Sequence, residues 1–493
     1  MVPRLRHRLA GAALFVAAVI ASPPPARPID QRKPPLPGRV WYVDNTAAAD
    51  GDGSMVAPFD RLARAERAAD AGDTIYVFRG DGTSRGLDGG IRLRPGQRLL
   101  GSGTAFVAAG EAPLPAGEPP LLSAPRGPVV VLADHVHVEG LAVAGKEPAV
   151  IVGEEIGDVH LGGLHLDGGL RLSDVRGAVR VESTDLRAVG APALLIESGR
   201  GEARIELDEV TVTGGEAPDD GLAVRASGDA ALTVTAVSTV LDGVTGNAIA
   251  LSADGRARLR FELAGSGLVG EFPAGTAAAL AAVVRGNGTL EIAARGNDLP
   301  ARDSALVLAV NGGGRLRAEL DTNVIGGAGA SRGVVLLLGD SGEATLTLGG
   351  NRIAGQRAEA VYAVATAQTK LGIAARDNDL ASGAAIGAAS YPALLVESNG
   401  EGHACVTLAE NRFADGNGAA AVAVTLRQRD AGSLALGGYE PAVAGDVTQR
   451  LAASNRLTRA VVEGERPLAD PAGAPCVALP PPRPAVAVAG SQP

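Results

Sequence analysis

The chain has 493 residues and a formal charge of -10, with 68 Gly and 31 Pro. A hydrophobic share of 46% is too high for a disordered chain, Gly follows no three-residue collagen period, and no basic stretch offers a nucleic-acid surface. Aromatics at 3% are scarce for a thick core, so abundant Val, Leu, Ile, Ala and Gly point to thin, regular β layers.

The N-terminus reads as a secretory signal. Arg4, Arg6 and Arg8 precede the apolar run Leu9 to Ala21, and Val19 and Ala21 set a small-residue cleavage site near Ser22. An uncleaved anchor is the alternative, although the run is short for a bilayer. No Cys near the cleavage point offers a lipid anchor. Residues 1–21 are thus assigned to the signal and 22–39 to a Pro-rich linker. No later segment reaches the roughly 18 apolar residues of a spanning helix, so the mature product is expected to be exported and free of a transmembrane span. It is also expected to be a monomer.

Trp41-Tyr42-Val43 reads as a strand and Asp44 to Val56 as a loop. Pro58 opens a helix through Ala71, with Leu62, Ala65, Ala68 and Ala69 at helical spacing. Strands follow at Thr74 to Phe78, Ile91 to Leu93 and Arg98 to Leu100. The run Trp41-Tyr42-Val43-Asp44, Pro58-Phe59, Gly72-Asp73-Thr74-Ile75-Tyr76-Val77 and Gly96-Gln97-Arg98-Leu99-Leu100-Gly101 resembles the opening of secreted bacterial right-handed parallel β-helix proteins of the pectate-lyase-like superfamily. That resemblance implies an all-β, single-stranded, right-handed parallel β-helix whose open end is covered by the helix. It leaves activity open, because the superfamily holds lyases as well as adhesins and surface proteins.

A repeat dominates the rest. Segments such as Arg315-Leu316-Arg317-Ala318-Glu319-Leu320 and Ala344-Thr345-Leu346-Thr347-Leu348 recur, and five end in Asn297, Asn323, Asn351, Asn378 and Asn411. Val210, Ser238 and Ser266 are read as the equivalent earlier positions. The period of 26 to 33 residues fits one coil of a β-solenoid. The Asn residues are expected to turn the chain in the left-handed region and to stack their amides from coil to coil.

Earlier coils are shorter. Asp134 to Val138, Asp158 to Leu161 and Ala178 to Val181 align, which makes His137, His160 and Arg180 an outward ladder. A metal shared by His137 and His160 wants a third ligand, and His135 and His165 are the other His nearby, so the expectation is a solvated ladder and no metal.

After Asn411 the period is expected to break, with a short helix from Asp446 to Asn455. Cys405, Leu426-Arg427-Gln428-Arg429, Gly438-Tyr439 and Cys476 resemble the closing segment of repetitive bacterial surface proteins. The boundaries read as an N-terminal cap at 40–104, repeats at 105–425, a C-terminal cap at 426–479 and a Pro-rich tail at 480–493. Cys405 and Cys476 are the two Cys of the chain, and an isolated pair in an exported protein usually bonds. Two buried thiols are the alternative. Strand alternation places Cys405 on the outer face.

Lyases on this fold need a Ca²⁺-binding carboxylate cluster and a base, and glycosidases need facing carboxylates on adjacent coils. Asp219 with Asp220, Asp298 with Asp303, and Asp377 with Asp379 are the candidates, and none recurs at one register on adjacent coils. Phe261, Phe272, Tyr362, Tyr391 and Phe413 are too scattered for a sugar platform. The reading is a non-catalytic exported protein for adhesion, glycan binding or structure, with polysaccharide or surface glycan as partner and no cofactor. A polysaccharide lyase or glycoside hydrolase is the alternative, with Ca²⁺ only in the lyase case.

Overall fold

A computed structural model of the chain describes residues 38–108, 112–187, 190–215, 220–269, 278–300, 303–327, 330–383, 391–414, 422–438, 447–470 and 476–482. Gly38–Pro493 forms one compact unit. The signal and nearly all of the linker fall outside the described residues, as do Asp219 and Phe272.

The chain winds into a parallel β-solenoid of about 12 turns. Each repeat coil has three faces. In one coil the first face is Arg315–Asp321, the second is Val324–Ile325 and the third is Arg332–Leu338. Every strand ladder among the described residues is parallel, and residues stack on their equivalents one coil away at about 4.8 Å. On the first face Leu290, Leu316, Ala344 and Leu371 form one inward column. Ile292, Ala318, Leu346 and Ile373 form the next, and both are buried. The alternation apolar-in, polar-out follows from the two-residue period of a strand. A coil on its own leaves this inner row in water; stacking buries each Leu for roughly 2 kcal/mol.

The helix at the N-terminal end is Leu62–Ala68, shorter than the 58–71 read from spacing. Its Leu62 and Ala65 are buried in the solenoid core. The C-terminal helix is Val447–Ala452. Stacking does not stop near residue 425, contrary to expectation. Val424–Gln428 pairs with Leu394–Ser398, Ser433–Leu436 pairs with His403–Val406, and Ala460–Glu463 adds a further strand. The period looked broken because the segment between Leu436 and Ala460 carries a helix in place of the regular loop.

At the corner between first and second faces the Asn side chains point inward. Asn351 Oδ1 accepts the Asn323 backbone N–H at 2.9 Å and Asn323 Nδ2 at 3.0 Å. Asn351 Nδ2 donates to the Leu320 carbonyl at 2.8 Å and to Asn378 Oδ1 at 3.0 Å. The same contacts join Asn297, Asn323, Asn378 and Asn411, and Asn455 after the helix continues the column. Two expectations change here. The left-handed residue is the one before each Asn: Gly296, Thr322, Gly350, Asp377 and Glu410. Each Asn lies between the first-face and second-face strands with its amide inward, and the turn falls on its predecessor. For the same reason Ser238, which has φ 51°, is the turn residue and Thr239 takes the column position, donating its N–H to Ser266 Oγ.

Cys405 and Cys476 are disulfide-bonded, with Cα atoms 4.9 Å apart. Cys405 does lie on the outer side of its strand, in register with Gly372 and Ala435, but it is fully covered. The C-terminal segment lies over it as a strap. Ala469 N donates to the Leu434 carbonyl at 2.8 Å, Cys476 bonds Cys405, and the Pro480 carbonyl accepts from Arg376 Nη1 at 2.7 Å. The strap therefore runs back across successive coils. Beneath it the outer positions are small, Gly372, Ala374 and Ala435, where the coil of Arg315–Asp321 carries Arg317 and Glu319.

Candidate functional site

Three adjoining strands of the first face carry a group of aligned outward polar side chains that includes two His. Their alternating outward residues are His137-x-Glu139, His160-x-Gly162 and Arg180-x-Glu182, and strand pairing aligns them. Arg98 extends the first column by one coil. The result is a column Arg98, His137, His160, Arg180 beside a column Leu100, Glu139, Gly162, Glu182.

Each imidazole meets a carboxylate. His137 Nε2 lies 2.7 Å from Glu139 Oε2, and His160 Nε2 lies 2.9 Å from Glu182 Oε1. The two rings are 4.3 Å apart at their centroids. Arg180 Nε reaches the other Glu182 oxygen at 2.8 Å, and the Thr104 hydroxyl donates to Glu139 Oε1 at 2.5 Å. Burial holds the His137 imidazolium below the ordinary histidine range; the Glu139 hydrogen bond opposes this, and His160 and Arg98 reinforce it. His137 is therefore neutral at neutral pH.

The outward position of Gly162 is empty between the aliphatic stems of Glu139 and Glu182. A Cβ on Gly162 would lie 3.5 Å from the Cγ of Glu139, 3.5 Å from the Cγ of Glu182 and 3.3 Å from His160 Nε2. Both Cγ atoms flank one empty side-chain position. Arg98 Nε and Nη2 are buried and make no hydrogen bond. Burial lowers the Arg98 pKa and the nearby Glu139 charge raises it. One wall of the site is the chain after Gly101. Phe106 stacks on Tyr76 at 5.1 Å, and Tyr76 meets Tyr42 edge-on at 6.0 Å, all on the outer side of the first coils.

The sequence-derived candidates do not join this group. Asp220 Oδ1 accepts the N–H and Nδ2 of Asn247 and braces a loop. Asp298 is a second-face residue whose carboxyl burial pushes up in pKa, and Asp303 contributes a carbonyl to Ser331 N. Asp377 is a turn residue, and Asp379 accepts from Arg412. Asn297, Asn323, Asn351, Asn378 and Asn411 are buried in the corner column. His135 pairs with Asp158 and His165 with Asp185, so neither joins His137 and His160. Among the described residues no group of three His, Cys, Asp or Glu is placed to hold a metal ion.

Sequence reading identified His137, His160 and Arg180 and missed Arg98, Glu139, Gly162 and Glu182. The signal was the repeated alternation itself: each outward His or Arg is followed two residues later by a second outward position.

No protein-family model matches the chain, and no curated protein matches it in sequence. Solved structures do. A GH136 lacto-N-biosidase from Eubacterium ramulus aligns with 86% of this chain and 68% of its own, at 9% identity and a TM-score of 0.31. A rhamnogalacturonan lyase aligns with 86% of this chain and 87% of its own, at 11% identity and a TM-score of 0.15. The reading of the site rests on its own geometry.

Proposed function

We propose that the chain is an exported β-solenoid that binds a glycan on the outer first face between Arg98 and Arg180, without cutting it. The observation that carries this is Arg98, whose buried Nε and Nη2 lack an acceptor beside an aromatic-backed wall. An unfilled buried donor is costly, and an oxygen-rich ligand would satisfy it. The polar column repeats at about 4.8 Å along the stack, so an extended sugar chain laid parallel to the axis meets a polar group at every coil. Export is supported by the N-terminal signal pattern and the disulfide. Among the described residues no helix is long and apolar enough to cross a membrane.

The test is a binding screen of the chain lacking residues 1–21 against neutral, acidic and amino-sugar oligosaccharides, with Arg98→Ala as comparison. Saturable binding that Arg98→Ala weakens by about tenfold, the worth of one charge-assisted hydrogen bond, is expected. Binding to no glycan refutes the reading.

One observation favours a second reading, cleavage of the bound sugar: Glu139 and Glu182 stand in one outward column on either side of Gly162, and glycosidases work with two carboxyl groups facing one substrate. Both carboxylates are already held by His137, Thr104, His160 and Arg180, which favours binding. Release of new sugar ends by the wild type and not by Glu182→Gln would establish cleavage.

A further inference from the structure

We propose that the glycan site takes the end of a sugar chain and not an interior stretch, with the terminal unit seated on Arg98 against the wall that follows Gly101. The proposal rests on the glycan-binding reading and names the part of the polymer that this site recognises.

The first observation is where the outer first face is covered. In its opening strands, Val40–Val43, Thr74–Val77 and Arg98–Gly101, the outward residues Tyr42, Thr74, Tyr76 and Leu100 are 1 to 2% exposed. From the next strand onward the same two columns open. Side-chain exposure is 20% at His137 and 29% at Glu139, then 32% at His160 and 34% at Glu182. Outward tyrosines this deeply buried need a cover, and the chain between Gly101 and Leu121 supplies it. Phe106 stacks on Tyr76 and exchanges both backbone hydrogen bonds with Leu114, at 2.9 and 2.8 Å. At the base the Gly117 N–H donates to the Ser102 carbonyl at 2.7 Å, and Ser102 Oγ donates to the Glu118 carbonyl at 2.7 Å. Glu118 also pairs with Arg79 at 2.5 Å. The segment is thus closed on itself and lies across the column, and Thr104 marks its edge on the open side by donating to Glu139.

The second observation is what stands at the foot of that wall. Arg98 is the member of the polar column nearest to it, and its buried Nε and Nη2 have no acceptor. These two N–H groups lie on one side of the planar guanidinium, where neighbouring oxygens are met together. A terminal sugar unit carries a hydroxyl where an interior unit carries its next glycosidic bond, so it brings an extra oxygen to this point. In the other direction the column continues from Arg180 to Glu206 and Thr235, all at least partly exposed. A groove blind at one end and open at the other, stepping at about 4.8 Å per coil, admits a chain end first.

Calorimetric titration of the chain lacking residues 1–21 uses the neutral, acidic and amino-sugar hexasaccharides of the binding screen in three forms: unmodified, with a bulky amide tag at the reducing end, and with a bulky ether on the non-reducing terminal unit. For each hexasaccharide that binds, blocking one end is expected to weaken binding at least about tenfold, and blocking the other to leave it within about twofold. The sensitive end is the one that meets Arg98. Arg98→Ala is expected to weaken the unmodified form about tenfold and to cause no further loss in the form blocked at the sensitive end, because that form no longer reaches Arg98. Arg98→Lys, read the same way, is the second variant, with amide exchange of Thr74–Val77 confirming the fold of both. Binding that neither block weakens, or that both weaken, overturns the proposal while leaving glycan binding standing. So does a loss on Arg98→Ala that is equal in the unmodified and blocked forms. Binding of no hexasaccharide overturns the glycan reading, and the proposal with it.

Discussion

Replacing Asn351 by Ala removes one rung from the buried corner column and leaves the backbone otherwise intact. Three groups lose their partner: the Asn323 backbone N–H, one Asn323 Nδ2–H and the Leu320 carbonyl. Asn378 Oδ1 keeps the Asn351 backbone N–H at 2.8 Å. An unpaired buried polar group costs about 1–3 kcal/mol, and water entering the vacated space offsets part of the sum, so a loss of about 3–5 kcal/mol is expected. Because coils of a solenoid communicate mainly with neighbours, the loss is local and a single melting temperature is a poor measure. Native-state hydrogen exchange reads it directly. Protection should fall at Asn323 and across Arg315–Asp321, Glu343–Gly349 and Lys370–Arg376, while Thr74–Val77 is unchanged. Asn351→Asp should be rescued in part by acid, since its oxygens keep the Asn323 donors but a buried carboxylate facing Asn378 Oδ1 favours protonation. Unchanged exchange at Asn323, or a destabilisation under about 0.5 kcal/mol, would refute the argument that this column is a structural spine.

Three further outcomes follow from the same contacts. Reducing the Cys405–Cys476 bond, or Cys476→Ser, should free the strap for limited proteolysis after Ala469 while central coils stay protected; the closed loop of 71 residues gives an upper-range contribution of about 4 kcal/mol. Burial pushes the Asp73 carboxyl up, but Trp41 Nε1, the Asp70 N–H and the Arg39 N–H together hold it below the usual range, so its stabilisation is present above the unfolded-state value near 3.8 and lost as pH falls through the folded one. Trp41 fluorescence should report that loss, and Asp73→Asn should flatten the acid limb. His137 is held below its ordinary value of 6.5, so the unfolded chain takes up its proton first; stability should decline as pH falls from about 6.5 through the folded value, and His137→Asn should remove that slope in urea titrations.

The repeat array was legible because strand alternation and the inward Asn leave a period that needs no partner to be seen. Its fine register was less so. Ser238 and Thr239 are both small and polar, and only stacking on Ser266 shows which turns inward. The strap could not be read: Gly372, Ala374 and Ala435 make sense as outer residues only once a distant segment lies over them. The candidate site was half legible. His137, His160 and Arg180 aligned from spacing, but Glu139 and Glu182 are two coils apart with Gly162 between, so a search for carboxylates on directly adjacent coils passed over them. Arg98 lies in a segment that reads as part of the N-terminal module, and it is strand pairing with His137 that brings it to the site.

The central claim is that a sugar chain lies along the outer first face over Gly162. A crystal structure of the chain soaked with the oligosaccharide that the binding screen selects tests it most directly. The account predicts sugar density running along the stack from Arg98 to Arg180, with an oxygen on Arg98 Nε or Nη2. Sugar bound instead at another face, such as the third-face groove beside Arg171 and Glu197, with Arg98 uncontacted, would contradict it.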